Sequence, residues 1–299
     1  MSTLPVVAAV DGSEDGWRAL DWARDAARRR GAPLRVAHVR HHAVRTPPGA
    51  PAVVPPSPED DPVLAEARAL LATVDDRPRP EFVGLDGAPG ALLPELGAEA
   101  QLLVLGSRGR GGFASLLLGS NGLTAARDAE CPVVIVPRPG RTVDAVLPAE
   151  PGPRVVVGLK VDGPDDVTLD FAFTEAALRG ARLQVIAAYP WPIQTWTAPG
   201  DLPTPFYDQD AVEHETATLA DGFLAPHRER HPGVHTDPLP APGDAAALLV
   251  AASKDADLVV LGRHRRRLLT PTRMLGSVTH AVLLHAASPV AVIPPTDPH

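Results

Sequence analysis

Leu102-Leu103-Val104-Leu105-Gly106-Ser107-Arg108-Gly109, running on to Leu118-Gly119-Ser120-Asn121, decides how this chain folds. Leu102 to Leu105 is an unbroken apolar run, the length of a strand buried on both faces. It ends at Gly106. Gly109 and Gly111-Gly112 follow, and nine residues separate Gly109 from Gly119-Ser120. Glycines directly after a buried strand let backbone N–H groups approach an anion with no Cβ in the way. Ser120 stands where a helix over Asn121 to Ala129 would begin, as its N-cap. A helix start offers free N–H groups and partial positive charge, both suited to phosphate.

Outward from this stretch, strands and helices alternate. Val6 to Val10 reads as a strand, and Ser13 caps a helix to Arg30 with Trp17, Leu20, Ala23 and Ala27 on one face. Leu34 to Val39 is a second strand. Pro62 to Ala72 is a helix with Leu64, Ala67 and Leu71 on one face; Glu81 to Leu85 is a third strand, and Gly90 to Ala100 a helix. Val133 to Val136 closes the unit. The proline-rich segment Thr46 to Pro58 is not regular structure.

The same order then returns. Asp170-Phe171-Ala172 lies 149 residues after Asp21-Trp22-Ala23, and Gly180-Ala181 the same distance after Gly31-Ala32. Leu258 to Gly262 repeats Leu102 to Gly106, Gly276-Ser277 repeats Gly119-Ser120, and Pro289-Val290 repeats Pro132-Val133. The chain is an internal duplication. Domains are expected over 1–139 and 154–299, with 140–153, rich in Pro and Gly, as the linker. Pro190 to Pro205 is the counterpart of the first proline-rich loop. Alternating strands and helices imply an α/β fold, a parallel sheet covered on both faces.

Composition narrows the function. At 299 residues the chain has room for two domains, and 44% apolar residues suit a water-soluble core. Aromatics are only 4%, so Val, Leu and Ala must fill that core. A formal net charge of −8 argues against nucleic acid as a partner. Cys131 is the single cysteine, expected as a small buried residue, so a reducing, cytoplasmic setting is expected. No signal peptide is visible and no run reaches membrane-spanning length, so no membrane partner is expected.

Gly-x2-Gly-x9-Gly-Ser between a strand and a helix resembles the universal stress protein family. Pro5-Val6-Val7-Ala8-Ala9-Val10-Asp11-Gly12-Ser13 is similar to that family's first strand and turn, and Cys131 to Pro137 to its last strand. The resemblance implies two tandem open-sheet domains of the adenine nucleotide alpha hydrolase-like type, each an α/β sandwich on five parallel strands in order 3-2-1-4-5. Strand order reverses between strands one and four, and ligands bind beside such a reversal at the strands' carboxyl ends. The Asp11 turn and the Gly106 loop meet there.

For the first half the resemblance implies an ATP site, with Mg²⁺ accompanying the nucleotide. Gly106, Gly109, Gly119, Ser120 and Asn121 would hold phosphates, with Arg108 beside the loop. Asp11, in the turn with Gly12 and Ser13, would reach the ribose or adenine edge. The Val39 backbone would meet adenine. The role implied is a nucleotide-responsive regulator of the stress response. The alternatives are an interaction scaffold that binds no nucleotide, working through an unknown protein partner, and a weak ATP hydrolase. The last strands, Val133 to Val136 and Val290 to Ile293, would be exposed apolar edges if bare, so pairing of the two halves, or of two chains as a dimer, is expected there.

Other motifs fail. Neither lysine, Lys160 or Lys254, follows a glycine, so there is no Walker A loop. Gly109-Arg110-Gly111 follows the fourth strand rather than the first, with Ala114 at the third glycine position, unlike a Rossmann fingerprint. No Gly-x-Ser-x-Gly elbow occurs. The adjacent His41-His42 point apart in a strand, and Pro232-Gly233 interrupts His227, His231 and His235 as a metal set. No general base or arginine finger is identifiable.

The second half departs from the pattern. Lys160 stands in the register of Asp11, with Asp162 nearby, and Arg265 replaces Gly109. Either that site has lost its ligand, or Lys160, Arg263 and Arg265 converge on a different phosphate-bearing one.

Overall fold

The structure is a computed structural model describing residues 4–40, 60–72, 78–109, 117–143, 147, 150–190, 208–263 and 274–295. Outside those residues lie His41-His42, the Thr46 to Pro58 segment, most of Pro190 to Pro205, Arg110, Gly111-Gly112, Ala114 and Arg265.

The first half contributes β1 (Val6–Ala9), α1 (Glu14–Arg30), β2 (Leu34–Arg40), α2 (Pro62–Leu71), β3 (Glu81–Asp86), α3 (Pro89–Leu96), β4 (Leu102–Gly106), α4 (Ser120–Asp128) and β5 (Val133–Val136). The second contributes β6 (Arg154–Gly158), α5 (Asp166–Arg179), β7 (Arg182–Tyr189), α6 (Gln209–Arg230), β8 (Thr236–Pro242), α7 (Ala245–Ala252), β9 (Leu258–Gly262), α8 (Ser277–His285) and β10 (Val290–Ile293).

Local chemistry sets the helix ends. Ser13 accepts from the Gly16 N–H at 3.0 Å to start α1, and Gly31, with φ +59°, ends it in the left-handed conformation. Gly180, with φ +58°, ends α5 in the same way, so the duplication extends to its caps. Asp61 caps α2 through the Val63 and Leu64 N–H groups. The helix expected over Gly90 to Ala100 is shorter: α3 stops at Leu96, and a short 3-10 turn over Gly97–Glu99 leads to extended Ala100.

All ten described strands join one sheet, in the order β3-β2-β1-β4-β5-β10-β9-β6-β7-β8. Each half supplies five parallel strands in order 3-2-1-4-5, and the halves run head to head. The seam is antiparallel: Val290 pairs with Ile135, Ala291 with Val134 and Val292 with Val133. Within the chain, the two last strands thus cover one another. Their eight residues are 0–7% exposed. On the area scale of roughly 25 cal/mol per Å², burying so many branched side chains is a large favourable term.

Helices cover both faces. On one, α1, α2, α5 and α6 bury Leu20, Leu64, Phe173 and Leu224 in a core continuous across the halves. On the other, α3, α4, α7 and α8 bury Leu93, Ala125, Leu249 and Val282. Alanines at Ala19, Ala23, Ala26 and Ala27 let α1 lie close to the sheet. The seam is reinforced on the first face: Arg30 of α1 is ion-paired with buried Glu175 of α5, and Arg179 lies 5.1 Å from the Trp22 ring centre. At the far edge, β8 places Pro238, Pro240 and Pro242 at alternate positions, which fits an edge strand.

Candidate functional site

The reversal of strand order falls between β1 and β4, and the turn after β1 faces the loop after β4. Val10 continues β1, its N–H reaching the Ala37 carbonyl at 2.9 Å. The chain then turns through Asp11 and through Gly12, whose φ is +76°. Asp11 Oδ1 accepts from the Ser13 N–H at 3.1 Å and the Ser13 hydroxyl at 2.6 Å. The Arg108 carbonyl, 3.3 Å from Ser13 Oγ, is an alternative acceptor for that hydroxyl. These bonds tie the first turn to the glycine loop.

Gly106 and Gly109 are glycine for different reasons. A Cβ on Gly106 would stand 2.5 Å from the backbone carbonyl of Asp15, so its role is to let α1 pass directly over the end of β4. A Cβ on Gly109 would overlap Asp11 Oδ2. The loop is further held by Ser107, whose N–H reaches the Val136 carbonyl at 2.9 Å and whose carbonyl receives the Gly119 N–H at 2.8 Å. The Ser107 hydroxyl donates to buried Asp15 Oδ2 at 3.0 Å. Asp15 Oδ1 also takes Arg138 Nε at 3.3 Å and is ion-paired with Arg18.

The start of α4 differs from the expected cap. Gly119 is the N-cap and Ser120 the first helical residue, and a glycine cap has no side chain to accept from the helix's first N–H groups. The serine stands one position inside the helix because Gly119, bonded to Ser107, takes the extended conformation of a cap. The opening amides are left facing a cavity of about 460 Å³.

That cavity gathers Asp11, Val39, Gly106, Arg108, Gly109, Gly119, Ser120 and Asn121. Gly12 and Ser13 do not line it; they shape the turn that aims Asp11. The walls also include Ala9, Val10, Gly16, Pro89, Leu93, Leu105, Ser107 and Gly122, which the sequence reading did not single out. Leu93 carried a faint signal as an apolar residue in a short helix. The cavity is apolar toward Val39, Leu93 and Leu105, and polar toward Ser107, Ser120 and Asn121. Beyond Val39, the neighbouring His38 Nδ1 is 2.8 Å from buried Asp61 Oδ2. Burial pushes the Asp61 carboxyl up, but His38 and the Leu64 and Val63 N–H groups outweigh it and hold it below the usual range.

The second half is arranged otherwise. Lys160 is exposed and ion-paired with exposed Asp162 at 3.2 Å. Arg263 is 8% exposed and turns away from the second half's crevice, donating through Nη1 to the Ala129 carbonyl at 3.0 Å. Of the two alternatives, the one in which Lys160 and Arg263 converge on an anion with Arg265 is not formed by the two described residues, because the carbonyls at the end of α4 in the first half take Arg263 instead. Leu249, the fifth residue of α7 as Leu93 is of α3, has a methyl 3.1 Å from where a Cβ on Gly158 would stand.

The sequence model of the universal stress protein family matches this chain twice, over residues 3–137 and 153–294. The chain belongs to the universal stress protein family. Universal stress protein Rv2005c of Mycobacterium tuberculosis is 34% identical over 300 residues, covering 96% of each chain. Universal stress protein Rv2623 of the same organism is 28% identical over 303 residues, covering 97% of this chain and 96% of that one. In fold, a universal stress protein from Archaeoglobus fulgidus superposes with a TM-score of 0.64 at 17% identity, covering 98% of this chain and 99% of its own. Both halves are thus universal stress protein units, and no helix among the described residues is long and apolar enough to cross a membrane.

Proposed function

We propose that the first half, taken as residues 1–139, binds ATP in the crevice between the Asp11 turn and the Gly106 loop, and that occupancy of this site regulates a cytoplasmic stress response. The observation that carries the reading is the glycine-capped start of α4, opening beside Gly109 and Asp11 into a cavity of about 460 Å³. This lies within the roughly 300–1,000 Å³ usual for small-molecule sites. The residues fit such a ligand. The amides of Ser120, Asn121 and Gly122 and the Ser120 hydroxyl would hold phosphate, and Arg108 would add charge. Asp11 would accept from ribose hydroxyls, and Val39, Leu93 and Leu105 would pack against the base. Mg²⁺ would enter with the triphosphate and offset its charge.

The reading is of binding rather than turnover. Asp11 Oδ1 already takes two donors from Ser13, which suits it to positioning more than to accepting a substrate proton. The second half, residues 154–299 after the 140–153 linker, is read as a divergent unit kept for its fold and seam, since Lys160 stands in the register of Asp11 and Arg263 is turned onto α4 of the first half.

The test is titration of nucleotide-stripped protein with ATP and with UTP, followed by product analysis. Tight ATP binding, weak UTP binding and no ADP after hours at saturation would support a nucleotide-responsive regulator. Steady ADP release would replace it with a hydrolase, and absence of binding would replace it with a scaffold.

A further inference from the structure

The two helices that open at the crevices, α4 and α8, are linked end to end in a closed ring of contacts across the domain seam. Helix α4 starts at Gly119, on the cavity. Its far end presents the Ala126 and Ala129 carbonyls to Arg263 Nη1 at 3.4 and 3.0 Å, with the Arg127 carbonyl also in reach. Arg263 follows β9, with its N–H fixed to the Ile293 carbonyl at 2.8 Å. The adjacent Gly262 carbonyl accepts from Thr279 Oγ1, in the first turn of α8, at 3.1 Å. The far end of α8 presents the Leu283 and Ala286 carbonyls to Arg141 Nη1 at 3.4 and 3.0 Å. Arg141 Nη2 then donates to the Leu117 carbonyl at 2.6 Å, two residues before Gly119. The path returns to the cavity.

We infer that this ring couples the first-half crevice to helix α8 of the second half, so that a ligand in the first is read in the second. The inference rests on the nucleotide reading above. A helix of nine residues is a rigid rod of about 13 Å, so displacement of its start is carried to its end. An anion at the α4 start and the Arg263 cation at its end act on one macrodipole, and both favour the helix. Arg263 occupies the register of Ser107, so the position that lines the crevice in the first half carries, in the second, a clamp on the first half's crevice helix. Coupling is reciprocal, so weakening the Arg263 clamp lowers ligand affinity at a crevice that Arg263 does not line.

The test is hydrogen exchange of full-length protein with and without ATP, run beside calorimetry, on the wild type, Arg141→Gln, Arg263→Gln and Thr279→Val. ATP is expected to slow exchange in the last turn of α8, over 282–286, as well as at the α4 start. Arg141→Gln is expected to bind ATP yet lose the α8 protection, and Arg263→Gln to bind about threefold to tenfold more weakly. Thr279→Val opens the ring without disturbing a buried charge; it is expected to reduce α8 protection even if an arginine variant fails to fold. ATP bound with α4 protected and α8 unchanged would overturn the inference, as would full α8 protection in Arg141→Gln. Absence of ATP binding to the wild type in calorimetry would overturn the nucleotide reading itself, and the inference with it.

Discussion

The Asp11 carboxylate occupies the space that a side chain on Gly109 would need, since a Cβ there would overlap Oδ2. The contact joins the loop after β4 to the turn after β1 across the reversal of strand order. Gly109→Val is therefore expected to displace Asp11 and weaken ATP binding about tenfold or more, roughly 1.4 kcal/mol. Gly109 is exposed, so the melting temperature will stay close to wild type. Unchanged affinity in calorimetry would separate Asp11 from the site.

Gly106→Ala is a different lesion. The added methyl would meet the Asp15 backbone at 2.5 Å, and a helix must move to admit it. Overpacking of this kind costs about 1–3 kcal/mol. Urea unfolding will show that loss, and an unchanged midpoint would count against the close packing of α1 on β4.

Val134→Pro tests the seam. Val134 pairs with Val104 on one side and Ala291 on the other, inside the sheet. Proline removes a ladder donor there and introduces its ring. The two halves are expected to unfold in separate steps at lower urea, with the hydrodynamic radius increased. A single unshifted transition would contradict the seam.

The Asp61 carboxyl has a definite acid signature. Its folded pKa lies below the ordinary 3.8, so its contribution is fully present above that value. It is lost as pH falls from there through the depressed folded pKa. Asp61→Asn is expected to be less stable at neutral pH and to show a shallower acid limb. An acid limb parallel to wild type would mean that His38 and the two N–H groups do not favour the ionised form.

Cys131 provides a check on packing. Burial pushes its thiol up to about 12, so at pH 8 it carries almost no thiolate. A thiol reagent is expected to leave the native protein unlabelled and to modify one thiol per chain in guanidinium. Fast native labelling would place Cys131 outside the core.

The strand and glycine loop at Leu102 to Ser120 and the duplication were legible because each leaves a local mark: an apolar run, a glycine spacing, a fixed register; the 3-2-1-4-5 order leaves none and came only through the family resemblance. Asp15 and Ser107 left none. Their bond joins residues 92 apart, and neither type announces a partner in sequence. Arg263 was legible as a cation but not as a clamp. Its direction is set by carbonyls at the end of α4, whose position follows only from the antiparallel seam. The Gly119 cap differed from the expected Ser120 cap by one residue, the usual resolution of a helix boundary read from sequence.

The central claim is that the first crevice holds ATP and the second does not. The most direct measurement is calorimetric stoichiometry of ATP with Mg²⁺ on nucleotide-stripped protein and on Gly119→Asp. A Cβ at Gly119 would have ordinary room, 3.7 Å from the Ser107 carbonyl, so the substitution brings negative charge to the phosphate position without crowding the fold. The account predicts one ATP per chain in the wild type and none in the variant. Two per chain, or binding that survives Gly119→Asp, would contradict it.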